Sequence, residues 1–243
     1  MSKNSVRKIA LDMYIEQMKW SVWFIGILMA VYIGLNIAGK IYNFDFIQDL
    51  LVFSAGSSLI YMFVIGIIAG ATFLPKLIKL GVTRTHCFYG TVVSAILKSI
   101  TLPLIFILFA AVEYLLSGLL DFKVADTIFI NFPESFILYS LNIFVGYILG
   151  WLINVGYYKF HWIIGLFFIA FAIGLNTIYA LIWENNIISL FSVNIDPFDT
   201  NLEAAVQSTG LPFLMSLLGS LTIILVILII IRTLTKKISI KIK

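Results

Sequence analysis

Residues 211–231 read Leu-Pro-Phe-Leu-Met-Ser-Leu-Leu-Gly-Ser-Leu-Thr-Ile-Ile-Leu-Val-Ile-Leu-Ile-Ile-Ile, without one charged side chain, and Arg232 follows at once. Wound as a helix, this stretch is about 31 Å long, enough to cross the ~30 Å hydrocarbon core of a bilayer. Five more stretches have the same character: 20–39, 51–74, 91–117, 136–158 and 162–183. Across all 243 residues, 61% are apolar and 12% charged. Soluble domains carry about 45–50% and 25%, and a chain this short cannot bury such an excess in one water-soluble core. The composition excludes a soluble enzyme, a nucleic-acid-binding module and a disordered chain. It predicts an all-α integral membrane protein of six transmembrane helices over residues 20–231.

Charge sets the orientation. With both termini inside, the inner segments hold Lys3, Arg7, Lys8, Lys19, Lys76, Lys79, Arg84, Lys159, Arg232, Lys236, Lys237, Lys241 and Lys243, against Lys40 and Lys123 outside. This is the positive-inside asymmetry, and it places both ends in the cytoplasm. Residues 232–243 then form a basic cytoplasmic tail. Trp20 and Trp23 mark the inner interface and Trp183 an outer one. Residues 1–19 place Lys8, Asp12, Glu16 and Lys19 on one ridge, and Val6, Ile9, Ala10 and Met13 on another. They predict an amphipathic helix lying in the membrane plane before the chain turns into the first span. The segment resembles no cleavable signal peptide.

Catalytic and metal-binding patterns are sparse. His86 and His161 flank predicted inner ends, and Cys87 is the single cysteine; the three are too scattered to predict a zinc site. Gly34 to Lys40 matches the GxxxxGK of a phosphate-binding loop, but Ile41 stands where a magnesium-holding Ser or Thr is needed. The stretch reads as helix-packing glycines and an interfacial lysine, so this chain is expected to bind no cofactor itself. Within the spans, Asn36, Asn142, Asn154 and Asn176 are candidates for interhelical hydrogen bonds or a polar pathway. Lys98 and Glu113 share the third span about 22 Å apart; they cannot pair, and each is expected to snorkel to its own interface, Glu113 as a further pathway candidate. With no cluster of charges at mid-depth, an ion-coupled symporter is disfavoured.

Small residues recur every four positions at Gly26, Ala30, Gly34 and Ala38, at Gly66 and Gly70, and at Gly146 and Gly150. They allow close helix approach, either within the chain or against a second copy. Pro103 leaves the Ser99 carbonyl without its helical donor. The inner loop 75–90 is the most informative connector. Pro75 suits a first helical turn, Gly81 a helix stop, and Thr83 an N-cap for the third span. Leu77, Ile78 and Leu80 give the short helix an apolar side, and Lys76 and Lys79 a basic one. The loop is either a basic connector or a docking knob for a cytoplasmic partner.

The interfacial N-terminal helix, the six spans and the LGVTR stretch from Leu80 to Arg84 together resemble the permease subunits of ABC-2-type transporters, over nearly the whole chain. The resemblance implies that Pro75, Lys76, Leu77, Ile78, Lys79, Leu80, Gly81, Thr83 and Arg84 form a coupling helix and turn against a separate cytoplasmic ABC ATPase. That partner, in two copies, would hold ATP and magnesium, and a second permease chain, identical or related, would complete the transporter. Within that family the chain is most similar to staphylococcal exporters of amphipathic phenol-soluble modulin peptides. The implied setting is a bacterial cell membrane, with lipids around the chain and no nucleic acid. Residues 198–208, with capping-box spacing from Thr200 to Glu203, predict a short outer helix that re-enters the outer leaflet or lies in a plain loop. The function expected is export of an amphipathic or lipid-like cargo without bond chemistry by this chain. A non-transporting membrane anchor or immunity protein, and an intramembrane processing enzyme, are the rival classes.

Overall fold

The computed structural model describes residues 3–42, 50–120, 132–160, 162–184 and 211–236. Among them the chain is almost wholly helical, without strands. The helices are α1 (Lys3–Tyr42), α2 (Leu50–Ile68), α3 (Leu74–Lys79), α4 (Arg84–Leu120), α5 (Phe132–Lys159), α6 (Trp162–Glu184) and α7 (Leu211–Lys236). Six helical stretches are long and apolar enough to cross a membrane. The expected outer helix at 198–208 lies outside the described residues.

The bundle is built around α5, which packs on α2, α4, α6 and α7. Its sequence has no polar face, and the structure shows why: Leu138, Ile143, Tyr147, Ile148 and Leu152 are all fully buried. A helix covered on every side needs apolar residues all round. The other helices instead leave apolar side chains such as Ile27, Leu108, Phe167 and Leu225 outward, as a lipid-facing surface requires.

Glycines set the α2–α5 spacing. A Cβ at Gly66 would meet the Tyr147 carbonyl, and one at Gly150 the Phe63 carbonyl. The small residues of these two helices therefore serve contacts inside the chain. Gly26 and Gly34 of α1 face open space instead.

The ends are packed differently from what the sequence suggests. Residues 3–19 are continuous with the first span: α1 runs unbroken from Lys3 to Tyr42. No glycine or proline stands between Lys3 and Gly26 to turn the chain. The apolar stripe Ile9, Ala10 and Met13 is buried by protein, with Ile9 seated over Gly90 of α4. Trp183, expected at the outer interface, is buried in protein, edge-on to Phe213 with ring centroids 5.6 Å apart. Trp20 and Trp23 are exposed.

Candidate functional site

The connector around Pro75 to Thr83 is an ordered turn. From Leu50 to Lys79 the helix is continuous through a π-helical turn at Ala69–Phe73. Pro75 follows two residues after its end. Proline lacks an N–H and its ring clashes with the carbonyl four residues back; a widened turn there accommodates both defects. The expected break between the second span and the connector helix is thus a bulge in one rod.

α3 ends in a Schellman motif. Gly81 has φ of +78°, its N–H donates to the Ile78 carbonyl at 2.9 Å, and the Val82 N–H donates to the Leu77 carbonyl at 3.0 Å. This pairing satisfies carbonyls that the helix end would leave bare, and the left-handed position favours glycine. Val82 and Leu77, the residues that normally touch in such a cap, both pack against the core. Thr83 then caps α4: its hydroxyl accepts from the His86 N–H at 3.3 Å, and its carbonyl from the Cys87 N–H at 3.0 Å. Residues 84–90, expected as loop, are the first turns of α4.

The expected apolar docking side divides. Leu77 and Ile78 are half-buried against the core, whereas Leu80 is 71% exposed. Leu80 occupies the helix C-cap, off the helical path (φ −81°, ψ 9°), and so turns away from its neighbours. Lys76, Lys79, Gly81 and Thr83 are exposed beside it. Arg84 donates from Nη1 to the Lys236 carbonyl at 2.8 Å, and Arg232 from Nη2 to the Thr85 hydroxyl at 3.1 Å. The Arg232 guanidinium also lies over Phe88 and Tyr89, at 5.1 and 5.3 Å from the ring centroids. The connector, the start of α4 and the end of α7 thus form one patch. Sequence reading placed Arg232 only in a basic tail; its spacing from Arg84 carries no signal of this pairing.

The interior polar residues do not act alike. Asn36 is buried and donates to the Tyr32 carbonyl of its own helix at 3.0 Å. Asn142 is buried on α5 and Asn176 half-buried on α6. Asn154 lies against Gly70 in the π-helical turn, with its Oδ1 buried and without a hydrogen-bond partner. Glu113 does meet a partner on another helix: the Tyr32 hydroxyl donates to its Oε1 at 2.8 Å.

Lys98 departs furthest from expectation. It does not snorkel; its exposure is 0% and its Nζ has no hydrogen-bond partner. The ammonium stands 4.6 Å from the centroid of the Tyr147 ring. A desolvated cation gains about 2 kcal/mol from an aromatic face, whereas removing an ammonium from water costs several kcal/mol. The ring alone does not offset that cost. No group of three metal-ligating side chains occurs among the described residues. A scan against protein-family models and searches of curated proteins and of solved structures find no match to this chain.

Proposed function

We propose that this chain is the permease subunit of an ATP-driven exporter in a bacterial cell membrane, with both termini cytoplasmic. It works with a second permease chain and two copies of a cytoplasmic ABC ATPase, which carry ATP and magnesium. Its cargo is amphipathic or lipid-like, since the interior offers few polar groups to replace a hydration shell.

The observation that carries this reading is the capped turn from Pro75 to Arg84. An exposed leucine flanked by Lys76 and Lys79 stands on a backbone fixed by a Schellman motif and an N-cap. A connector needed only for charge would not require that order. The turn is also well placed to pass on a push. It continues into α2 through the π-helical turn, into α4 through Thr83, and touches α7 through Arg84. Movement of a docked ATPase would reach three spans at once and rock them between inward- and outward-facing states.

Leu80→Asp tests the reading. Leu80 is outside the core, so the variant should insert and fold. Losing a buried leucine contact, worth about 1.5–3 kcal/mol, should lower ATPase co-purification at least about tenfold. Normal co-purification and normal stimulation of ATP turnover would overturn the docking assignment. Failure of any ATPase to co-purify with the wild-type chain would favour the membrane-anchor reading.

A further inference from the structure

We propose that Gln17, Ser94, Lys98 and Tyr147 form an internal site for a phosphate-type oxyanion. All four side chains have 0% exposure. Five of their polar atoms, Gln17 Nε2 and Oε1, Ser94 Oγ, Lys98 Nζ and Tyr147 Oη, have no hydrogen-bond partner. Buried polar atoms are nearly always paired, so an orphaned group of this size calls for something to fill it.

The four converge from three helices. On α4, Ser94 lies one turn before Lys98, on the same face. From α5, the Tyr147 ring sits under the Lys98 ammonium. The Gln17 carboxamide of α1 lies beside the Tyr147 hydroxyl, outside hydrogen-bonding geometry. The register of α1 on α4 agrees. Tyr32 and Glu113, which share a hydrogen bond, are 81 positions apart, and the touching pair Ile9 and Gly90 has the same separation. Met13–Thr91 and Tyr14–Thr101, 78 and 87 positions apart, bracket this step, which places Gln17 level with Lys98.

The chemistry of the group selects an anion. Lys98 contributes an ammonium, Gln17 an amide N–H₂, and Ser94 and Tyr147 a hydroxyl each, so donors dominate. Among the described residues, no ion pair neutralises Lys98; on α1, Lys19 pairs with Glu16 at 3.2 Å, on the exposed side of the helix. Water would suit a Lys98 that had shed its proton on burial; an oxyanion completes the hydrogen bonds with the ammonium kept, and a tetrahedral one offers acceptors in the several directions from which these donors arrive.

The level on α1 points the same way. Gln17 is flanked by exposed Lys19, Trp20 and Trp23, the residue types that gather at headgroup depth. A lipid phosphate and a free phosphate from the cytoplasm are both at hand there. α1, which packs mainly on α4 and less on α2, is the cover through which either would enter.

The test uses the full chain purified in a nonionic detergent, with its unfolding midpoint followed by tryptophan fluorescence. One arm titrates inorganic phosphate against chloride at constant ionic strength. The other titrates short-chain phosphatidylglycerol against phosphatidylcholine. A saturable rise in midpoint is expected in at least one arm: with phosphate if the free ion suffices, with phosphatidylglycerol alone if the ligand is a lipid. Lys98→Met should raise the half-saturating concentration at least about tenfold, equal to ~1.4 kcal/mol, while Lys98→Arg keeps the response. Gln17→Leu should weaken it too, and serves if Lys98→Met does not fold. No shift of the wild-type chain in either arm, or an unchanged response in both neutral variants, would overturn the site. Neither result bears on ATPase docking, which is read by co-purification.

Discussion

Gly66 and Gly26 show what one methyl group tests. Both belong to a four-residue stripe of small residues, and sequence alone assigns them equally to folding or to assembly. A Cβ at Gly66 would run into the Tyr147 carbonyl, which is backbone and cannot step aside cheaply, whereas a Cβ at Gly26 meets nothing. Gly66→Ala should therefore destabilise the chain by about 1–3 kcal/mol, the usual cost of overpacking. Gly26→Ala should be neutral or stabilise it by up to about 1 kcal/mol, through the loss of a helical glycine. Thermal unfolding of the two variants in one detergent checks the contrast; equal effects would refute it. Gly81 is different in kind, since space is open around it and only its φ of +78° demands glycine. Gly81→Ala should cost about 1–2 kcal/mol of left-handed strain, felt locally as faster amide exchange at Val82. Unchanged exchange there would show that the cap does not depend on glycine.

At the scale of elements, the connector was the most legible part of the molecule. Pro75, Gly81 and Thr83 each act through the local backbone, so their order in the chain already specifies first turn, stop and cap. The π-helical turn was not legible, because it is a compromise between Pro75 and the continuation of α2. Nor was the direction of Leu80, which depends on where the cap releases it. Leu77→Asp and Leu80→Asp should accordingly separate: the first lowers the unfolding midpoint because Leu77 packs on the core, the second leaves it unchanged and acts on partner binding. If both lower the midpoint alike, Leu80 is not the free surface of the turn. α1 and α4 are tied at their far ends by the Tyr32–Glu113 hydrogen bond. Tyr32→Phe should cost about 0.6–1.7 kcal/mol, the range for interhelical bonds in membrane proteins, measured by reversible unfolding in mixed micelles. A zero cost would mean that the two residues find other partners.

For the whole molecule, Ile9 on Gly90 and Arg84 on Lys236 bring the start of α1, the start of α4 and the end of α7 to one end of the bundle, beside the basic connector. Single cysteines at Lys3, Asp126, Asn194 and Lys243, in a Cys87→Ser background, should report the orientation of that end. An impermeant thiol reagent on intact cells should label only Asp126→Cys and Asn194→Cys; labelling at either terminus would reverse the topology. The number of spans and their apolar character followed from the sequence itself, because a bilayer imposes a length and a polarity on every crossing, residue by residue. The charge asymmetry from which the orientation is predicted is likewise a property of the sequence. What only the tertiary structure decided is which face of each helix meets protein. Ile9, Trp183 and Lys98 all read as interfacial by position, yet all three are buried, Lys98 completely. Hydropathy records how far along a span a side chain lies, whereas burial depends on its angle around the helix and on which neighbour covers that angle. α5 covers Lys98 with Tyr147, and that contact joins residues 49 positions apart in the sequence.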